Sequence, residues 1–236
     1  MENRGEAPFA GIAPAVPQVS VVLPTFNRSG LLSACLDSLE AQSLEKASYE
    51  VIAVDDGSSD NTQAFLAAAE VRYTLHLVSI RGPHRGPAAA RNLGIRHARA
   101  QIVAFIDDDC QADRDWLRAI LEPFSDLGIA GVEGLVVRHP DCTPFTHFVE
   151  NTHGHLYLTA NMAYRRDALK SVGGFDEGYQ YAAAEAWDLA FRILARGWRI
   201  AFQAAARVVH VPVPVSGRNF LDRAKDRESA LRLYRR

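Results

Sequence analysis

Three consecutive aspartates, at positions 107, 108 and 109, directly follow the apolar run IVAFI at residues 102–106. This run predicts a buried strand, with the acids at its carboxyl end. Three adjacent carboxylates repel one another, and a bound cation would relieve that repulsion. Oxygen ligands suit Mg²⁺ or Mn²⁺, and Mg²⁺ is often held by one or two carboxylates together with substrate phosphates. We therefore expect a divalent-metal site here; the alternative is a solvated acidic turn that caps the next helix.

Two further polar clusters also follow apolar runs. VSVVL at residues 19–23 leads into PTFNR, and VIAV at residues 51–54 leads into Asp55-Asp56-Gly57. The two acids can accept hydrogen bonds from a ribose hydroxyl or a base N–H, as acids at strand ends do in dinucleotide-binding folds. They are equally suited to a helix-capping turn, because Asp-Gly-Ser-Ser-Asp is good turn chemistry. Both interpretations stay open on the sequence alone.

These clusters need a frame that brings them together. Apolar residues between the strands recur at helical spacing, and strands that alternate with helices predict an α/β fold with a doubly wound parallel sheet. Ligands of such sheets bind in the crevice beyond the carboxyl ends of the strands. The three clusters should therefore face one edge, which we call the acidic rim: residues 24–28, 55–57 and 107–109.

A helix start just before the aspartate-bearing strand carries GPAAARN at residues 86–92. Its small residues would let a phosphate approach the helix N-terminus, and Arg91 can pair with a diphosphate. The sequence has no G-x-x-x-x-G-K-[ST], which excludes a P-loop. It also has no G-x-G-x-x-G after a strand, which argues against a nicotinamide or flavin dehydrogenase.

The chain divides into three parts. Residues 1–17 are predicted to be a flexible leader, residues 18–215 a single domain, and residues 216–236 a basic helix. That helix either packs on the domain or lies on an anionic membrane surface. The predicted strands are 19–23, 51–54, 73–78, 102–106, 129–137, 158–164, 199–202 and 207–211. The predicted helices are 29–41, 88–98, 116–124, 166–171 and 183–195, with one more ending at residue 69, and residues 139–155 are predicted to be a long surface loop.

Composition excludes several classes of protein. Apolar residues make up 48% and charged residues 23% of the 236, which is ordinary globular usage. The formal charge of −2, from 26 basic and 28 acidic residues, gives no reason to expect a nucleic-acid partner. Three scattered cysteines indicate a reducing compartment. Because no signal peptide or membrane span is recognisable, we expect a cytoplasmic protein, with peripheral contact at the inner face of the membrane if the basic helix binds there.

Six segments in order resemble family 2 glycosyltransferases of the GT-A fold: VSVVLPTFNR, VIAVDDGSSDNT, GPAAARNLGI, IVAFIDDDC, GGFDE and EAWDLAFR. The resemblance covers roughly residues 18–211 and implies a Rossmann-like single domain with a mostly parallel sheet and flanking helices. It further implies inverting transfer of a sugar from a nucleotide-diphosphate donor, most commonly a UDP-sugar, with Mn²⁺ or Mg²⁺. The acceptor would be a sugar, a polysaccharide or a lipid-linked hydroxyl.

The resemblance also implies roles for individual residues. The nucleotide pocket would contain Pro24, Thr25, Asn27, Arg28, Asp55, Asp56, Arg91, Asp107 and Asp108. The metal ligands would be Asp107, Asp109 and His210, although a surface histidine at a strand end is an equally good interpretation of His210. The donor-sugar and acceptor side would contain Asn161 and Trp187.

The sequence departs from the family pattern at the base. Relatives carry an acidic pair at the start of the helix in EDxDLxxR, whereas this chain has Glu185 followed by Ala186. Glu185 is the first candidate for the catalytic base, and Asp188 is an acceptor-binding or alternate base residue. Asp188 can instead form an ion pair with Arg192 at i+4. The alternative function is a nucleotide-sugar-binding homologue with impaired catalysis, whether Ala186 is natural or introduced.

Overall fold

The computed structural model describes residues 16–143, 146–179 and 184–214. The helices are α1 Ser29–Glu40, α2 Thr62–Arg72, α3 Pro87–His97, α4 Trp116–Leu121, α5 Arg166–Ser171 and α6 Glu185–Leu194. The strands are β1 Val19–Thr25, β2 Tyr49–Asp55, β3 His76–Arg81, β4 Ile102–Phe105, β5 Cys110–Ala112, β6 Ile129–Arg138, β7 Thr146–His147, β8 Met162–Arg165, β9 Arg199–His210 and β10 Val213–Pro214.

Eight of these strands form one mixed sheet in the order β3-β2-β1-β4-β8-β6-β9-β5. The half β3-β2-β1-β4 is parallel throughout, because helices connect its successive strands. Beyond β4 the sheet becomes mixed: β8 is antiparallel to both neighbours, β6 and β9 are parallel, and β5 is antiparallel to β9. The predicted α/β class with flanking helices is confirmed. Parallel pairing occurs among β1 to β4 and between β6 and β9, and the other pairs of the sheet are antiparallel.

Alternate residues of β1 pack on the two faces of the sheet. Val21 and Leu23 belong to the core cluster beneath α1, while Val22 belongs to the opposite cluster with α3 and α6. The α3 helix lies so close to β1 that a Cβ at Gly94 would collide with the Val22 side chain. This close approach fixes the distance between α3 and the strand whose carboxyl end begins the acidic rim.

Several boundaries differ from the sequence prediction for local reasons. The third strand begins at His76 rather than residue 73, because Tyr73 caps α2 through a hydrogen bond to Ala69 O at 3.0 Å. Residues 159–161 form a 3₁₀ turn, so β8 begins at Met162. The two strands predicted at 199–202 and 207–211 are one irregular strand, β9, with a register shift opposite Gly134 and Leu135.

Two predictions, the N-terminal leader and the C-terminal basic helix, concern residues that the structure does not describe. Residues 1–15 and the basic segment 216–236 lie outside the described residues, so the leader and the C-terminal helix stay predictions.

The predicted loop at 139–155 contains β7, which pairs with β10. None of the helices in the described ranges combines the length and apolar character needed to cross a bilayer.

The end of the sheet opposite the acidic rim contains a buried carboxylate on β2. Glu50 is 2% exposed and accepts hydrogen bonds from Ser20 Oγ at 2.6 Å and from Arg99 N and Nε at 2.8 and 2.6 Å. Burial alone would raise the pKa of the Glu50 carboxyl, but the hydrogen bonds from Ser20 and Arg99 outweigh it and hold the pKa below its ordinary value. The ionised form therefore ties β1, β2 and the turn before β4 together.

We expect Glu50→Gln to lower the free energy of unfolding by about 2 kcal/mol at pH 7, because the buried donors lose a charged acceptor. A lowered folded-state pKa means that the stabilisation is complete above the unfolded pKa of about 4.3 and is lost as the pH falls through the folded pKa. Urea unfolding should therefore show a difference between variant and parent that narrows below about pH 4. The exposed Glu45→Gln is the control, and a difference independent of pH would contradict the assignment.

Candidate functional site

The carboxyl ends of β1, β2 and β4 meet at one edge, as predicted for the acidic rim. Thr25 and Asp55 are partners in the β1–β2 register, and Asp56 N donates to Thr25 O at 2.9 Å. The Thr25 hydroxyl donates to Asp108 Oδ2 at 2.7 Å, which joins the first cluster to the third. The convergence inferred from the alternating strands is therefore confirmed.

Arg28 supplies a positive charge to the aspartate cluster. Its Nη1 lies 2.9 Å from Asp108 Oδ1 and 2.9 Å from Asp109 Oδ2. Burial would lower the pKa of Arg28, but the attraction of Asp108 and Asp109 outweighs it and raises the pKa. Asp108 is 3% exposed, and its burial, with Asp109 beside it, raises its pKa to about 6 against the opposing effect of Arg28. Arg28 thus binds acids directly, in addition to any contact with a nucleotide.

The two acids after β2 have different surroundings. Asp56 accepts hydrogen bonds from Arg85 N at 3.0 Å and Gly86 N at 2.8 Å, so it shapes the loop that leads into α3. Asp55 accepts one from Ser58 N at 2.8 Å through Oδ1. Its buried Oδ2 has no hydrogen-bond partner among the described residues. A buried acceptor without a partner is uncommon and fits an oxygen reserved for a ligand hydroxyl or N–H.

An aromatic pair at the acidic rim was missed by the sequence analysis. Phe26 is 40% exposed, and its ring stacks on His84 with a centroid distance of 4.3 Å and an interplanar angle of 23°. Asn27, next to it, has a φ of 52° and accepts a hydrogen bond from Ser59 N at 2.8 Å. The signal in the sequence was a large aromatic residue within the polar cluster PTFNR, where a core residue is not expected.

Arg91 links the acidic rim to α6. It is 2% exposed, with Nη2 2.9 Å from Asp107 Oδ1 and Nη1 2.9 Å from Glu185 Oε1. Burial would lower the pKa of Arg91, but Asp107 and Glu185 outweigh it and raise the pKa. The predicted diphosphate-binding residue is therefore first of all a buried bridge between two acids.

The residues predicted to bind metal separate into two groups. Asp109 Oδ1 lies 3.4 Å from His210 Nε2, and Cys110 completes a buried group whose ligand atoms all lie within 4.8 Å of one another. Asp107 is not part of this group, because its Oδ1 contacts Arg91 instead. A carboxylate and an imidazole suit a divalent cation, so Asp109 and His210 could hold one.

The two candidate bases on α6 each contact an arginine. Asp188 is 2% exposed and accepts a hydrogen bond from Arg192 Nε at 2.7 Å, and this ion pair is the i+4 pair considered above. Glu185, also 2% exposed, contacts Arg91. Ala186 between them is 6% exposed. The helix therefore begins with two buried acids, and the ion pair of Glu185 with Arg91 connects the helix to the acidic rim.

Trp187 and Asn161, the residues predicted for the sugar side, have very different positions. Trp187 is 39% exposed, and its indole N–H donates to Leu156 O. Asn161 is fully buried, accepts from Trp116 Nε1 at 2.8 Å and donates to Leu135 O and Ala206 O at 3.0 and 2.8 Å. Asn161 therefore connects three core segments, and its proposed contact with a sugar would be indirect.

A second buried carboxylate, on β6, anchors the segment that Trp187 contacts. Glu133 is 2% exposed and accepts hydrogen bonds from Asn151 Nδ2 at 2.7 Å and from the backbone N–H groups of residues 155, 156 and 157. Gly154, His155 and Tyr157 have positive φ angles of 81°, 68° and 50°. This anchor was not predicted from the sequence. The signal was a glutamate within the apolar run IAGVEGLVV, because a buried carboxylate has to be hydrogen-bonded.

The family model described as glycosyl transferase family 2 matches residues 20–185, well over half of the chain. The chain belongs to this family. Glycosyltransferase AglE from Haloferax volcanii is 29% identical over 171 residues, which cover 68% of this chain and 56% of AglE.

Solved structures show the same fold as this family 2 domain. Mannosyltransferase PcManGT from Pyrobaculum calidifontis, in complex with GDP-Man and Mn²⁺, aligns with a TM-score of 0.69 and 25% identity over 88% of this chain and 61% of that one. TarS from Staphylococcus aureus, in complex with UDP-GlcNAc, aligns with a TM-score of 0.69 and 21% identity over 84% and 60%. The expected GT-A fold is confirmed. The chain spans 56% of AglE, 61% of the PcManGT chain and 60% of a TarS chain that ends at residue 349, so it covers less than two thirds of each.

We expect Arg91→Ala to lower the free energy of unfolding of the family 2 domain by about 3–5 kcal/mol, because the buried carboxylate of Glu185 loses this cation. The matched control is Arg72→Ala, which removes an arginine paired with Asp37 where both side chains are more than half exposed. An exposed pair contributes about 0–1 kcal/mol. Urea unfolding measures both variants, and equal losses would show that the Arg91 bridge has no special structural role.

Proposed function

We propose that this domain transfers a sugar from a nucleotide-diphosphate donor to an acceptor hydroxyl, with inversion at the anomeric carbon and with a divalent cation. The observation that carries the proposal is the meeting of the acidic rim with His210, where Asp109 Oδ1 lies 3.4 Å from Nε2. The complex of PcManGT with GDP-Man and Mn²⁺ supports both the donor class and the cation.

The nucleoside would bind across the ends of β1 and β2. The Asp55 Oδ2 atom, buried without a partner among the described residues, is the proposed acceptor for a ribose hydroxyl or a base N–H. The exposed face of the Phe26–His84 stack offers an aromatic surface for the base, and base–aromatic stacking contributes about 1–3 kcal/mol per base. A UDP-sugar is our first candidate donor and a GDP-sugar the second.

Asp109 and His210 would hold Mn²⁺ or Mg²⁺, with Asp107 and Asp108 nearby. When bound, the ion supplies positive charge that stabilises a departing diphosphate. Arg28 already neutralises part of the charge of Asp108 and Asp109, so it keeps the cluster folded and orients Asp109 before a ligand arrives. Arg91 holds Asp107 in place and would add positive charge behind the diphosphate.

Glu185 is the proposed base, because the ion pair with Arg91 connects it to the acidic rim. In this role its carboxylate accepts the proton of the acceptor hydroxyl as that hydroxyl attacks the sugar. Asp188 remains the alternate base or an acceptor-binding residue, and the exposed ring of Trp187 would line the acceptor side. A sugar, polysaccharide or lipid-linked acceptor fits this arrangement.

One observation favours a second function. Ala186 stands where the family resemblance places an aspartate, so a nucleotide-sugar-binding homologue with impaired catalysis is the competing proposal. We also propose a cytoplasmic location. Membrane contact through residues 216–236 stays a proposal, because that segment lies outside the described residues.

We expect a thermal-shift panel of nucleoside diphosphates to show stabilisation that requires Mn²⁺, since a ligand that binds only the folded state at about 100 times its Kd adds about 2.7 kcal/mol. Asp109→Asn should remove the Mn²⁺-dependent part, and the exposed Asp37→Asn should retain it. If no nucleoside diphosphate gives metal-dependent stabilisation of the parent protein, the donor-site assignment is wrong.

We expect Glu185→Gln to lower donor hydrolysis or transfer by about 10²–10⁴-fold, the usual contribution of a general base. Nucleotide binding should persist, because the amide side chain introduced by Glu185→Gln keeps an oxygen that can accept from Arg91. Under the same proposal Ala186→Asp changes the rate little. A large gain in Ala186→Asp, with no loss in Glu185→Gln, would instead support the impaired homologue.

A further inference from the structure

Cys110 lies beside the proposed metal ligands because of the sheet register. In the antiparallel pair of β5 and β9, Cys110 is directly opposite His210. Side chains of directly opposed residues project from the same face of the sheet, with Cβ atoms about 4.5–5.5 Å apart. Val211 N donates to Asp109 O at 2.8 Å and holds the two strand ends together. The backbone therefore places a thiol and an imidazole side by side.

The two oxygens of Asp109 have separate partners. Oδ2 accepts from Arg28 at 2.9 Å, whereas Oδ1 lies 3.4 Å from His210 Nε2 and 3.9 Å from Cys110 Sγ. Asp109, Cys110 and His210 are 5%, 1% and 3% exposed. One oxygen, one nitrogen and one sulfur thus converge in a buried space, with their ligand atoms within 4.8 Å of one another.

This set of ligand atoms has a clear chemical preference. Mg²⁺ and Mn²⁺ favour oxygen ligands, whereas a thiolate together with imidazole and carboxylate suits Zn²⁺. Zinc bonds of about 2.0–2.3 Å in a tetrahedral arrangement place neighbouring ligand atoms about 3.3–3.6 Å apart. Two of the three observed separations, 3.4 and 3.9 Å, are close to those values, and the thiol and imidazole atoms lie within 4.8 Å of each other, so zinc binding would draw the three ligand atoms together by side-chain rotation.

We propose that Cys110 is a third protein ligand of the metal site, so that Asp109, Cys110 and His210 together bind a thiophilic divalent cation, zinc in particular. The fourth position is left for water or a donor oxygen. On binding, the thiol proton is released to solvent and a metal–sulfur bond forms. This inference rests on the proposed metal site, and it goes beyond it by adding a sulfur ligand that favours zinc over Mn²⁺.

The test uses the full chain with Cys142→Ser, which removes the more accessible thiol. Cadmium ion, added alone, should produce the ultraviolet charge-transfer absorption of a cadmium–thiolate bond. Zinc should compete with cadmium for the same site. Adding Cys110→Ser should abolish the absorption and weaken zinc binding by about tenfold or more. Adding Cys35→Ser, which alters another buried thiol, should leave both unchanged.

X-ray absorption at the zinc edge of the Cys142→Ser protein tests the ligand without touching Cys110. A sulfur neighbour at about 2.3 Å is expected. A shell of only nitrogen and oxygen, or equal cadmium absorption with and without Cys110, would overturn the proposal. Mn²⁺-dependent nucleotide binding is scored separately in the same variants. If that binding is intact while the sulfur ligand is absent, the present inference alone fails; a sulfur ligand without nucleotide binding counts against the proposed function alone.

Discussion

The ion pairs of Arg91 are the interaction on which the site depends. Burying a carboxylate costs several kcal/mol unless a cation and hydrogen bonds accompany it. Asp107 and Glu185 come from distant parts of the chain, and the Arg91 guanidinium contacts both at 2.9 Å. The arginine on α3 therefore lies between the turn after β4 and the start of α6 and balances a carboxylate of each. The acidic rim and α6 thus share one set of buried charges.

Arg28, in the turn after β1, gives the acidic rim a second cation from the protein itself. It contacts Asp108 and Asp109, and Thr25 adds a hydrogen bond to Asp108. The folded domain therefore tolerates three adjacent aspartates in the described structure through its own side chains. The proposed cation would enter a site whose carboxylates are already oriented, which would reduce the reorganisation that binding requires.

The parts of the site that follow from strand ends could be predicted from sequence. Apolar runs that stop at Thr25, Asp55 and Asp107 meet at one edge because parallel strands end together. The partners of individual acids could not be predicted, because they depend on contacts between distant segments. The difference between Asp55 and Asp56 arises from the loop before α3, and the register of β5 with β9 brings Cys110 to His210. Neither contact leaves a periodic signal in the chain.

The Glu133 anchor has a consequence for how the surface beside Trp187 can change. Its carboxylate accepts from the backbone N–H groups of residues 155, 156 and 157 rather than from their side chains. Every amino acid except proline provides such a group. The exposed side chain of Leu156 can therefore be exchanged without loss of the anchor, whereas the positive φ angles at positions 155 and 157 restrict the residues that fit there. The surface beside Trp187 can thus vary while the backbone path that Glu133 holds stays the same.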